Sequence, residues 1–236
     1  MQPFDCLFPQ ASTRAAKTQD HIEKRAALET KCAGAGSDGA AEGAQTLVDR
    51  ALARFGRLDS AALNPPRGPG PRVSHVPLLE APIELVDAVT GYFHTTYHAL
   101  RAVIPAMRGR GGQILVFTSD AGARPEAGWS LYGASRAGQN FLVQAVALEH
   151  AAEGICLNVL GSKNAVFEGF PYSPPGATTD STVTPGAWSA PLEAETPLGR
   201  LGTMEELAAF CAVLLDGTNR FQTAQYFSYS GGWQAL

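Results

Sequence analysis

No run among the 236 residues approaches the ~18 consecutive apolar residues that a membrane span requires, which excludes an integral helical membrane protein. Cysteine is scarce. Cys6, Cys32, Cys156 and Cys211 lie far apart with no C-x-x-C spacing, so neither a zinc site nor a disulfide framework is expected. Charge is sparse and mixed: 18 Lys and Arg against 22 Asp and Glu leave a net −4, with no basic stripe for a nucleic-acid backbone. Residues 1–20 lack the basic start and apolar stretch of a secretory signal. The expectation is a reduced, soluble, cytoplasmic protein. What is present is 45% apolar residues, 25 Gly and 16 Pro, at a length that suits one medium domain and is too short for two.

Elements follow from periodicity. Pro3–Phe8 reads as a short strand, and 11–29, rich in Ala, Lys and Glu, as a helix with Ser12 as a possible cap. The Gly-rich stretch 31–40 has room for at most a stub of strand. A helix is expected over 41–55, stopped by Gly56, and a strand of small residues over 58–64. The tract NPPRGPGPR is a loop. A helix runs from Pro82 to Met107, and GGQILVFTS (111–119) has the continuous apolar character of a strand buried on both faces. A helix over 131–150 and a strand over 155–160 come next. The stretch 161–198, with six prolines and four glycines, reads as a long functional loop. A helix over 203–215 and a strand over 225–229 complete the chain. Strands alternating with helices predict one α/β domain over 1–236: a Rossmann-like doubly wound parallel sheet with helices on both faces.

Three residues point to chemistry. Ser119 closes a buried strand, where open α/β sheets place their ligands. Tyr132 and Arg136 follow in SLYGASRAG, four apart, so one turn apart on one helical face. A free phenol ionises near pH ~10 and is a poor base at neutrality; a neighbouring positive charge favours the phenolate. Arginine stays protonated, so Arg136 can supply charge but cannot relay a proton. Ser119 can orient a substrate oxygen toward Tyr132. The trio is a device for taking a proton from an alcohol or returning one to an alkoxide. The plainer alternatives are a surface Tyr–Arg pair and a serine that merely caps its strand.

The sequence resembles the short-chain dehydrogenase/reductase superfamily. The resemblance is carried by RFGRLDSAALN (54–64), YFHTTYHALRAVIPAM (92–107), GGQILVFTS, LYGASRAG, TPLGRLGTMEELAAF (196–210) and SGGW (230–233). The family motif is Ser, then Tyr-x-x-x-Lys; here Arg136 stands at the Lys position. Ser–Tyr–Arg resembles instead the trio of halohydrin dehalogenases, a branch that uses no cofactor. Reductases place a relay Asn near Tyr92 and a Pro-Gly turn after the strand ending at Leu160; this chain has neither. The dehalogenase branch has an aromatic anion pocket after that strand. By that resemblance Ser162, Lys163, Asn164, Phe167, Phe170 and Tyr172 are candidate pocket residues, with Trp129 a candidate wall. The same aromatics also suit a loop pinned onto the core. Gly34, Gly36 and Gly39 are read as following a helix, the wrong context for a phosphate turn. The family's first strand, phosphate turn and first helix are expected to lie before Met1.

The resemblance therefore implies a lyase without cofactor: Tyr132 deprotonates a vicinal haloalcohol, the alkoxide closes an epoxide, and halide leaves, with small anions opening epoxides in reverse. The alternative is an NAD(P)-dependent oxidoreductase with Arg136 in place of Lys, and a third reading is a non-catalytic member of the superfamily. Neither a nucleic acid nor a membrane is expected as a partner. Asn64 is read as a brace of the sheet, and the i, i+4 pair His94 and His98 as helix-surface residues with no third metal ligand. Trp233 in the tail is placed to reach a pocket, its own or a neighbour's. The helix over 132–150 is apolar on more than one side, which suits a homodimer or homotetramer interface as well as a core.

Overall fold

The structure, a computed structural model, describes residues 27–30, 37–66, 68, 75–163 and 189–235. Five strands form one sheet in the order of the chain, all neighbours parallel: β1 (Ala27–Thr30), β2 (Ser60–Leu63), β3 (Gly112–Ser119), β4 (Ile155–Ser162) and β5 (Tyr226–Tyr229). The register runs from Gly112 opposite Ile155 to Ser119 opposite Ser162, so the carboxyl ends of β3 and β4 finish level. The helices are α1 (Ser37–Phe55), α2 (Ile83–Met107), α3 (Ser130–His150), α4 (Ser189–Glu195) and α5 (Met204–Leu215).

The two faces of the sheet are covered by different helices, as continuous apolar strands require. On one face Ile114 and Val116 of β3 and Leu157 and Val159 of β4 pack with Val48 of α1, Val103 and Met107 of α2, and Val143 and Ala147 of α3. On the other, Leu115 and Leu160 meet Leu207, Cys211 and Leu214 of α5. Alternate strand residues thus serve opposite layers. The α/β parallel architecture read from the sequence is the one observed.

Local signals explain most boundaries. Gly56, in the left-handed region at φ 69°, donates its N–H to Leu52 O and ends α1. Thr203 caps α5 in a reciprocal box with Glu206. Pro82 is the cap of α2 rather than a member of its first turn.

Four sequence expectations are corrected. Residues 27–29, assigned to a helix by their composition, belong to β1, because pairing with β2 decides the conformation of so short a segment. Residues 37–40, assigned to a loose Gly-rich stretch, open α1. Gly39 therefore lies in the first turn of a helix that follows a strand, not behind a helix; Gly34 and Gly36 lie outside the described residues. Finally, 189–195 of the supposed loop is α4 and 161–162 belongs to β4. The expected strand over Pro3–Phe8 lies outside the described residues.

Candidate active site

The site is built where the carboxyl end of β3 meets the amino end of α3. Two glycines permit the approach. A Cβ on Gly122 would lie 2.6 Å from the backbone carbonyl carbon of Arg136, and one on Gly133 would lie 2.8 Å from Ala121 O. The turn that follows Ser119 is therefore packed against the helix turns that carry Tyr132 and Arg136.

Ser119 is buried and its Oγ accepts the backbone N–H of Ala121 at 3.2 Å, capping the short turn 120–122. The hydroxyl proton remains available for a second partner. Tyr132 is half-buried, with its ring edge-on to Trp129 (centroids 5.7 Å) and to Tyr92 (5.8 Å). His75 stands edge-on to Trp129 in turn. Trp129 and Tyr132 line a narrow pocket with Val76, Leu85, Val89, Gly128 and Leu131.

Arg136 is 7% exposed and is no surface residue. Its Cζ lies 3.5 Å from the ring centroid of Tyr92 and 5.1 Å from that of Tyr132. The guanidinium thus lies close to both aromatic rings. Its Nη1 donates to Gln139 Oε1 at 2.8 Å, and Gln139 Nε2 donates to Thr96 Oγ1 at 2.7 Å. Thr96 Oγ1 donates to Tyr92 O at 2.7 Å. Gln139 and Thr96 are wholly buried. The spacing of Tyr132 and Arg136 predicts one helical face, and the structure brings the two side chains together there. Gln139 and Thr96 escape the sequence pattern, in which only the helical offset of three from Arg136 to Gln139 is visible. Tyr92, where a relay Asn was sought, proves to be a platform for the guanidinium.

Beside Ser119, the wholly buried carboxylate of Asp120 accepts from Tyr226 Oη at 2.5 Å and Ser228 Oγ at 2.6 Å. Burial and the adjacent carboxylate push ionisation of Tyr226 well above the ordinary phenol range. This phenol is fixed as a donor, so it is no candidate base.

The candidate pocket residues divide. Ser162 closes β4 level with Ser119. Lys163 is engaged: its Nζ donates to both Glu126 oxygens, at 2.6 and 2.7 Å, and lies 3.8 Å from the Trp233 ring centroid. Asn164, Phe167, Phe170 and Tyr172 lie outside the described residues. Trp233 is buried in its own chain, with Arg124 at its other cation contact, 4.5 Å from the centroid. Asn64 is exposed after β2. Among the described residues no group of three His, Cys, Asp or Glu side chains could hold a metal ion, and no helix is long and apolar enough to cross a membrane.

Comparison with known proteins assigns the lineage. A family model described as Enoyl-(Acyl carrier protein) reductase matches residues 12–234. The cis-4-hydroxycyclohexanecarboxylate dehydrogenase of Sinomonas cyclohexanicum is 31% identical over 194 residues, 80% of this chain and 71% of that protein. A solved structure named Dehalogenation enzyme is 30% identical, with a TM-score of 0.67 over 80% of this chain and 74% of that one. ElxO, solved with NADP bound, shares the fold at 20% identity and a TM-score of 0.66, over 83% of this chain and 75% of that one. These findings overturn the expectation of a protein that works without a cofactor. The family description and the dehydrogenase relative both name redox reactions, which need a two-electron partner. The chain belongs to the short-chain dehydrogenase/reductase superfamily, in the family described as Enoyl-(Acyl carrier protein) reductase.

Proposed function

We propose that this chain is an oxidoreductase interconverting small apolar secondary alcohols, alicyclic ones in particular, and their ketones with a nicotinamide dinucleotide. The observation that carries the reading is the buried Arg136 guanidinium 5.1 Å from the ring of Tyr132. A phenol next to a buried cation is suited to exchanging the proton of an alcohol. The relative named cis-4-hydroxycyclohexanecarboxylate dehydrogenase supports an alicyclic alcohol, in its case one that carries a carboxylate.

A dinucleotide would present its phosphates to the amino end of α1. Gly34-Ala35-Gly36-Ser37-Asp38-Gly39 has G-x-G-x-x-G spacing in the sequence, and its last three residues, Ser37–Gly39, form the first turn of α1. The amino end of α1, Ser37–Gly39, would hold the pyrophosphate through its backbone N–H groups. A nicotinamide dinucleotide would supply or accept the hydride when bound. Arg136 does not fit the ribose contact that a lysine makes in reductases, because its guanidinium is enclosed by Tyr92 and Gln139.

The chain's own residues then act as follows. Ser119 Oγ donates to the substrate oxygen while its lone pair holds the Ala121 N–H. Tyr132 takes the hydroxyl proton in oxidation and returns it in reduction. Arg136 offsets the negative charge that develops on the phenol oxygen. Trp129, Leu131 and Val89 would flank the substrate on one side.

A second reading, dehalogenation of vicinal haloalcohols, is favoured by arginine at the lysine position and by the 30% identical structure named Dehalogenation enzyme. In it the same phenolate removes the hydroxyl proton, the alkoxide oxygen bonds to the neighbouring carbon, and the carbon–halogen bond breaks with both electrons leaving on halide. The experiment separates the two. The protein is offered cyclohexanol with NAD or NADP, and separately 1,3-dichloro-2-propanol. Formation of reduced nicotinamide, lost in Tyr132→Phe, supports the main reading; halide release without nicotinamide turnover replaces it with the second.

For the assembly, the proposal is a homodimer or homotetramer through the outer faces of α2 and α3. Phe141 and Leu148 are 74% and 70% exposed there, beside an apolar cleft lined by Leu100, Ile104, Leu142 and Val146.

A further inference from the structure

Buried arginines are usually paired with carboxylates, because an uncompensated charge inside a protein costs several kcal/mol. Arg136 breaks that rule. Among the described residues no carboxylate pairs with it, and its Nε finds no hydrogen-bond acceptor. What holds it is neutral: the side-chain carbonyl of Gln139 on Nη1 and the face of Tyr92 at 3.5 Å. The Gln139 amide has one orientation available. Its Nε2 donates to Thr96 Oγ1, and that hydroxyl spends its own proton on Tyr92 O, so it is left to accept. The oxygen of Gln139 must therefore face the guanidinium. The chain Tyr92 O, Thr96, Gln139, Arg136 runs between α2 and α3 without a charge other than the guanidinium itself.

We propose that Gln139, oriented by Thr96, is a positioning residue that fixes Arg136 over Tyr132 with a neutral acceptor, leaving the full positive charge to act on the phenol oxygen and on whatever anion forms beside it. A glutamate at this position would grip the guanidinium as firmly and cancel its field. A leucine would leave the field but release the grip. The two failures have different signatures. The proposal rests on the assignment of Tyr132 as the proton-exchanging group, so one arm of its test is independent of turnover.

The first arm is NMR of protein carrying 15N,13C-labelled arginine, with the Arg136 signal identified by its loss in Arg136→Lys. In the wild type the Arg136 guanidinium shows separate, slowly exchanging Nη signals. They merge in Gln139→Leu and in Thr96→Val, and stay separate in Gln139→Glu. The second arm is steady-state kinetics with the alcohol and nucleotide that the wild type turns over. Gln139→Leu and Gln139→Glu each lower kcat by about 10- to 100-fold, the range expected for one hydrogen bond to a charged group, with KM unchanged. Gln139→Glu does so while its melting temperature stays at or above that of the wild type, which a merely structural role for Gln139 does not produce.

Unchanged Nη signals in Gln139→Leu, or a Gln139→Glu variant with wild-type kcat, overturn the proposal. Where Gln139→Leu does not fold, Gln139→Glu and Thr96→Val decide it. A wild type that turns over neither alcohol nor haloalcohol overturns the catalytic reading instead, and the NMR arm still tells whether Gln139 holds Arg136.

Discussion

Gly161 carries a sharply testable consequence of the packing beside Ser119. It sits in β4 between β3 and β5, where the Asp120 carboxylate reaches across to Tyr226 and Ser228. A Cβ at Gly161 would lie 1.9 Å from Tyr226 Oη and 2.7 Å from Asp120 Oδ1. Neither distance is tolerable, so Gly161→Ala must swing the Tyr226 ring away and break its bond to Asp120. That leaves a wholly buried carboxylate with one side-chain donor fewer. Losing a hydrogen bond to a charged group costs about 1.5–3 kcal/mol, and residual overpacking adds about 1 kcal/mol. The total is about 2.5–4 kcal/mol, at about 2–4 °C in Tm per kcal/mol for a chain of this size. The assay is urea unfolding followed by circular dichroism on Gly161→Ala, Tyr226→Phe and the double variant. Tyr226→Phe removes the same hydrogen bond to Asp120 while leaving the ring carbon Cζ that the new methyl also strikes at 2.5 Å, so the lost bond is counted once and the two losses are non-additive, with a coupling of about 1–2 kcal/mol. Losses that simply add, or a Gly161→Ala variant as stable as the wild type, refute the reasoning.

Other expectations are as direct. Arg200 and the Thr203 backbone hold the Glu206 carboxyl down at about 2, against the usual value near 4.5. Its contribution is therefore present above pH 4.5 and lost as the pH falls toward 2; Glu206→Gln, melted at several pH values, loses the part of the acid limb in that window. Thr203→Ala removes the other half of the cap and costs about 1 kcal/mol in urea unfolding. Burial pushes the Cys211 thiol up to about 12, so iodoacetamide labels it only after denaturation, as mass spectrometry of peptides from folded and unfolded protein will show. Phe141→Glu shifts sedimentation toward the monomer with kcat unchanged if α3 forms the assembly face; unaltered sedimentation rejects that face.

The central elements were legible because their burial is two-sided and their periodicity long. Ile114–Phe117 and Val159–Leu160 are runs of apolar residues in strands buried on both faces, and α2 is helical for 25 residues with a buried apolar face that includes Leu85, Val89, Leu100, Val103 and Met107. What failed was short and composed of good helix formers or glycine. Ala27-Leu28-Glu29 favours a helix by propensity, yet four residues pairing with β2 make a strand. Ser37-Asp38-Gly39 reads as a loop because glycine disfavours helix interiors, yet it opens a 19-residue helix that packs Val48 into the core. Pro191 masked α4, although proline is tolerated in a first turn.

The same division holds for the candidate site. Tyr132 and Arg136 announce themselves by a helical offset of four. The partners that restrain them do not: Thr96 reaches Gln139 across 43 residues of chain, and Tyr226 reaches Asp120 across 106. No local pattern encodes either contact. The neutrality of the Arg136 surroundings among the described residues is likewise a property of the folded interface between α2 and α3.

The most direct measurement is the rate of nicotinamide reduction by wild type and Tyr132→Phe protein with a small alicyclic secondary alcohol, checked for folding by circular dichroism. The account predicts turnover in the wild type and a loss of at least about 100-fold in kcat on removing the one hydroxyl. Equal rates in the two proteins, or a wild type that consumes no nucleotide while releasing halide from a haloalcohol, would contradict it.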